Sequence, residues 1–261
     1  MTSSSSLYHR AETAFAEGDI ERALGLAEQV PPDAEEATDA AALRAECHAE
    51  LGNWDKADQI ADEVLREDPE WATGYLVRGL SAVASGEIAQ GKTFFQQGWK
   101  ADDTLGEIAF MLSIIADFEG DFVAADNWLL KAHGADHDFP KPLHIETAVL
   151  DEFLLLVVDN YDGKTLDSLE ESRFRIAPMP DAKDLQEGVS LDAGYKLESL
   201  DPENDPPAFA LTFFQRNLER GVRHKGELKK RLGQVLDEVL GELVEAVEKT
   251  FSPDQDNEDD R

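Results

Sequence analysis

The stretch Ala45-Glu46-Cys47-His48-Ala49-Glu50-Leu51-Gly52-Asn53-Trp54-Asp55-Lys56-Ala57 sets one glycine between two small residues, seven positions before it and five after. The same spacing recurs at a period of 34 residues around Gly18, Gly86 and Gly120. Ala11, Gly79 and Ser113 occupy the leading small position, and Ala23, Gly91 and Ala125 the trailing one. A polar residue follows each glycine (Asp19, Asn53, Glu87, Asp121), and a large apolar one comes next (Ile20, Trp54, Ile88, Phe122). A glycine in this place ends a helix, because the left-handed backbone there costs it little. The small residues let two helices approach closely. A period of this length, with one turn and two close contacts, describes a helical hairpin that stacks on copies of itself.

The pattern resembles the tetratricopeptide repeat over residues 7–137. The junctions depart from it. Pro69 holds the usual closing proline, whereas Glu35, Asp103 and His137 stand at the other three equivalent positions. The resemblance implies eight antiparallel helices over residues 7–133, in a right-handed solenoid of four hairpins. Their bounds read as about 7–30, 37–66, 71–101 and 104–133. Pro31-Pro32 cannot continue the first hairpin.

In such repeats the first helix of each hairpin lines a concave groove. Carried over position by position, the groove takes Tyr8, Glu12 and Phe15, then Ala42, Glu46 and Ala49. Leu76, Leu80 and Val83 follow from the third hairpin, and Phe110, Ile114 and Phe118 from the fourth. It starts acidic and ends apolar. The lysines and asparagines with which chaperone-binding members clamp a C-terminal carboxylate are absent from these positions. An apolar wall of that size calls for cover. The chain's own helix over 145–158 and an amphipathic partner segment are both candidates.

Composition narrows the partners. The chain has 261 residues and a net charge of −32, from 56 acidic against 24 basic residues. That argues against sequence-independent nucleic-acid binding and against docking on an anionic membrane, both of which need a basic face. High acidity keeps a protein soluble, and it also suits a saline habitat. Cys47 is the lone cysteine, so no internal disulfide forms and a reducing, cytoplasmic location is expected. Between Glu46 and His48 it reads as a packed thiol. The chain opens without a signal-peptide pattern, and no apolar run reaches the ~20 residues of a membrane span.

Past residue 140 the texture changes. A loop rich in histidine, glycine and proline is expected from His133 to Pro142. An apolar helix follows over Ile145–Val158, with Val149, Leu150, Phe153, Leu154 and Val157 at helical spacing. A turn at Asp162-Gly163 precedes a short strand from Phe174 to Pro180. Residues 186–207 read as loop, Phe209–Gln215 as a second strand, and Lys225–Lys249 as a long amphipathic helix. Residues 1–6 and 251–261 are expected to be disordered ends.

The segment Asn217-Leu218-Glu219-Arg220, with the strand before it and the long helix after it, resembles the minimal zincin family of bacterial metallopeptidases over about residues 143–245. The resemblance implies a small α+β domain whose long helix carries His-Glu-x-x-His: two histidines hold zinc, and the glutamate activates a water. Here the first histidine position is Asp237, the glutamate is Glu238, and the second histidine position is Gly241. The expectation is therefore a degenerate domain with no metal, no cofactor and no catalytic residue. His133, Asp136, His137, Asp138 and His144 are a second metal candidate, against which Gly134 and the end of the helix weigh. Seven basic residues fall between Arg216 and Arg231, a local dipole that suits an acidic partner or a solvated helix start.

The reading is a non-catalytic interaction protein, a mainly α solenoid at 7–137 joined to a zincin-like domain at 143–250, that binds a protein or peptide segment. The rivals are a metallopeptidase with altered ligands and an adaptor whose second domain caps the solenoid.

Overall fold

The computed structural model describes residues 4–251. The chain divides into two compact units, one ending at Phe139 and the other starting at Pro140. The expected disorder at residues 1–3 and 252–261 lies outside the described residues, whereas Ser4 to Ser6, expected in the loose start, already belong to a helix.

The first unit is four helical hairpins: α1 (Ser4–Ala16) with α2 (Ile20–Ala27), α3 (Ala37–Glu50) with α4 (Trp54–Glu67), α5 (Ala72–Ala84) with α6 (Ile88–Ala101), and α7 (Gly106–Phe118) with α8 (Phe122–Ala135). Each turn has the geometry its glycine permits. Gly18, Gly52, Gly86 and Gly120 all have φ between 70° and 81°. In each turn the next amide reaches back to a carbonyl five residues earlier: Asp19 to Ala14, Asn53 to His48, Glu87 to Ala82 and Asp121 to Ala116, at 2.8–2.9 Å. This double reversal satisfies carbonyls that the helix end would leave bare. Asp19 and Asp121 then cap the following helix through their carboxylates.

The small residues sit where the helices touch. Ala11, Ala23, Ala45 and Ala57 have no exposed surface. The third hairpin uses glycines instead: a Cβ on Gly79 would lie 2.3 Å from the Phe95 ring, and one on Gly91 would lie 2.8 Å from Val83. One core cluster joins the first hairpin to Leu43 and Cys47 of the second. Another joins Ala45, Ala57 and Ala61 to Val77 of the third.

Three hairpin ends are bent by aspartate, one of them (Asp68) beside the closing Pro69 and two where no proline stands. Asp68, Asp102 and Asp136 stand 34 residues apart. Each accepts the amide two positions on, from Glu70 (3.1 Å), Thr104 (2.8 Å) and Asp138 (2.9 Å). An aspartate side chain that binds its own backbone in this way makes the turn that a proline would otherwise pre-set.

The second unit is an α+β layer pair. Its elements are α9 (Thr147–Val158), α10 (Gly163–Glu171), β1 (Arg173–Ala177), α11 (Ala182–Gln186), β2 (Tyr195–Asp201), β3 (Ala208–Phe214), α12 (Gln215–Arg220) and α13 (Lys225–Phe251). The sheet order is β1-β3-β2, with β1 parallel and β2 antiparallel to β3. The central strand is buried along nearly its whole length. Its Phe209, Leu211 and Phe213 share one core with Leu150, Leu154 and Val157 of α9 and with Leu228, Leu232, Val235, Leu236 and Val239 of α13.

Three expectations are corrected here. Residues 186–207 are not all loop, because β2 runs through them. As an edge strand it carries charge (Lys196, Glu198, Asp201), and a bulge between Leu197 and Ser199 breaks its alternation. The turn at Asp162-Gly163 opens α10, a polar helix with Ser168 and Leu169 as its buried residues. His133 lies in the last turn of α8 rather than in the loop. Among the described residues no helix is long and apolar enough to cross a membrane.

Candidate binding groove

The first-helix positions of hairpins one and two converge on one cavity. Tyr8, Glu12 and Phe15 from α1 and Ala42 and Glu46 from α3 line a space of about 470 Å³. Thr38, Asp39, Asp68 and Trp71 complete its wall and were not foreseen. Asp39 lies one and two turns before Ala42 and Glu46 on the same helix, so its helical spacing could have revealed it. Trp71 precedes α5 and comes from the next hairpin, and no periodicity within α1 or α3 points to it.

This end of the unit is electrostatically tense. Burial, and then the charge of Glu50, push the Glu46 carboxyl up to about 7. Burial also raises the Tyr8 phenol, helped by a hydrogen bond to Glu12 and by the charges of Glu12, Asp39 and Glu46. The buried Cys47 thiol is pushed up to about 11 by burial and by Glu46, which keeps it protonated and a packing group rather than a nucleophile. Burial lowers the neighbouring His48, with Lys56 assisting.

The later groove positions do not join that cavity. Leu76, Leu80 and Val83 are half-buried along α5, as is Ala49 at the end of α3. On α7, Phe110 and Phe118 are half-buried and Ile114 has no exposed surface. Part of the cover over Phe110 comes from the segment after α8: the Phe139 ring lies 5.1 Å from that of Phe110. Phe139 also lies where a Cβ on Gly106 would strike it, at 2.7 Å, and its carbonyl meets His133 Nδ1 at 2.6 Å.

In the second unit, Asp237 and Glu238 are exposed on α13. Tyr161 donates its hydroxyl to Asp237 at 2.6 Å, and Tyr195 donates to Glu238 at 3.2 Å. Gly241 has open space where a side chain would stand. Among the described residues no group of three or more His, Cys, Asp or Glu is placed to hold a metal ion. In the histidine-rich segment the rings of His133 and His137 lie 4.8 Å apart, Asp136 is taken up with the Asp138 amide, and His144 meets Arg216 at 2.8 Å.

Asn217-Leu218-Glu219-Arg220 is buried and acts as a clasp. Asn217 donates to the carbonyls of Leu191 (3.0 Å) and Ala193 (2.8 Å) and accepts from Arg220 at 2.5 Å. Glu219 accepts the Ile145 amide at 2.9 Å, Gln215 at 2.8 Å and Arg216 at 3.4 Å. Two members of the basic run, Arg216 and Arg220, are thus held within this clasp, while Lys225, Lys230 and Arg231 are exposed.

The family model for the tetratricopeptide repeat matches residues 11–76. This segment is tetratricopeptide repeat. The match takes in α2, α3 and α4 and therefore most of the cavity's wall. Among solved structures, a thermophilic tetratricopeptide repeat protein of Thermus thermophilus is 16% identical, with a TM-score of 0.47 over 52% of this chain and 75% of that one. A crystal structure of MamA is 12% identical, with a TM-score of 0.45 over 52% of this chain and 80% of that one. MamA from Desulfovibrio magneticus is 16% identical, with a TM-score of 0.45 over 52% of this chain and 77% of that one. No curated protein sequence matches the chain.

Proposed function

We propose that the chain is a non-catalytic, cytoplasmic interaction protein whose repeats bind a segment of a partner protein in their concave groove. The observation that carries this reading is the cavity between α1 and α3. It collects Tyr8, Glu12, Phe15 and Glu46, four side chains singled out as groove positions by repeat register. A concave site of this size, with aromatic walls and a few polar groups, is the usual form of a recognition site. Of the groove positions on the fourth hairpin, Ile114 is fully buried and offers a partner no surface, and Phe139 lies on Phe110.

The second unit, over 143–250, is read as a zincin-like layout that has lost its metal motif. The positions that would ligate zinc are an aspartate engaged by a tyrosine and a glycine without a side chain. Its α9 and α13 share one core with the sheet.

Site-specific photocrosslinking in the host cell tests the groove. A benzoylphenylalanine in place of Ala16, which lines the cavity, is expected to capture a protein adduct, and one in place of the exposed Gln59 on α4 is not. Equal capture at both positions, or capture at neither, overturns the reading.

A further inference from the structure

We propose that the cavity between α1 and α3 is a cation pocket, taking a lysine or arginine side chain from a basic segment of the partner. This rests on the groove reading above and adds the chemistry of what enters it. The wall divides into two parts. Tyr8, Phe15 and Trp71 supply aromatic surface, while Glu12, Asp39, Glu46 and Asp68 supply carboxylates, and among the described residues no lysine, arginine or histidine lines the space. A lysine or arginine has the matching division, with an apolar stem that packs on rings and a charged head that seeks carboxylates. Aromatic faces and acids each attract that head, the rings through their negative faces. At about 470 Å³ the space has room for one such side chain and its flanking backbone. An acidic segment would add like charge to a cavity already crowded with it. A wholly apolar one would leave the carboxylates dehydrated and unpaired, at a cost no contact returns.

The groups around Glu46 make the pocket pH-dependent. Glu12 and Tyr8 face it from α1, Asp39 and Glu50 share its helix, and Asp68 follows α4. None of these is basic, and burial, then the like charge of Glu50, keeps Glu46 protonated in part of the molecules at neutral pH. An arriving cation favours the ionised form and expels that proton. Binding therefore tightens as pH rises through about 7.

Selection of random, histidine-free peptides by display on the full-length protein at pH 8 tests this. The expected pool is enriched in lysine and arginine and loses its binding to the triple variant Glu12→Gln, Asp39→Asn, Glu46→Gln. A selected peptide should bind the unchanged protein about tenfold tighter at pH 8 than at pH 6, the ratio for a carboxyl falling from about 7 to its ordinary value. The pH comparison does not depend on the variant's folding. Peptides that crosslink to the Ala16 position yet show no basic enrichment, or bind no tighter at pH 8, overturn the cation pocket and leave the groove standing. Failure to select any peptide that crosslinks there overturns both.

Discussion

Gly79 backs directly onto the ring of Phe95, so closely that a single added carbon would overlap it at 2.3 Å. Phe95 has no exposed surface and cannot swing away. Gly79→Ala is expected to destabilise the protein by about 1–3 kcal/mol despite the better helix propensity of alanine. Phe95→Ala should cost about 3–5 kcal/mol by itself. The double variant should cost less than the sum, because removing the ring makes room for the methyl. Chemical denaturation of the four proteins checks the cycle, and strict additivity would count against the contact.

Ala57 holds the trailing small position in the second hairpin, fully buried against Ala45 and Val77. Ala57→Leu is expected to overpack the hairpin and cost about 1–3 kcal/mol. A urea midpoint equal to that of the parent would argue that the register is wrong.

Glu46 ties stability to pH. Its folded pKa, about 7, lies above the ordinary carboxyl value, so the folded state holds its proton longer than the unfolded chain does. Stability from this residue is therefore greatest below that ordinary value and is lost as pH rises through about 7. The melting temperature should fall between pH 6 and pH 8, and Glu46→Gln should flatten that slope. Thermal scans across this range decide it.

Glu219 stitches the start of the second unit to α12. Glu219→Ala leaves the Ile145 amide without its acceptor and takes a partner from Gln215 and Arg216. A buried group stranded in this way costs about 1–3 kcal/mol. Hydrogen exchange should show faster exchange at Ile145, and unchanged protection there would refute the clasp.

Purified protein is expected to carry well under one zinc per chain, and Glu238→Gln to leave partner binding unchanged. Hydrolysis needs a metal to acidify water as well as a base to take its proton. Elemental analysis beside a binding assay checks both halves. Stoichiometric zinc would restore the altered-ligand peptidase as the better reading.

The hairpins were legible in the sequence because their causes are local. A glycine at positive φ and a small residue at a helix contact are needed whatever lies beyond, so they recur at a constant interval. The Asp68, Asp102 and Asp136 column obeys the same period, but it bends the chain through side-chain bonds to its own backbone, a route that a column of prolines does not reveal. The edge strand β2 and the short helix α10 were hidden for a different reason. Each buries only a thin strip of side chains, so charge dominates its sequence.

What the linear chain determined by itself was the solenoid, its acidity and the set of side chains on the inner helix faces. Which of those side chains meet was decided by tertiary packing. Tyr8, Glu12, Phe15 and Glu46 come from two helices and line one cavity once α1 and α3 pack and Trp71 of the next hairpin closes the wall. The same packing buries Ile114 and sets Phe139 beside Phe110. It also raises the Glu46 pKa, because burial depends on every neighbour at once, and no sequence interval encodes that.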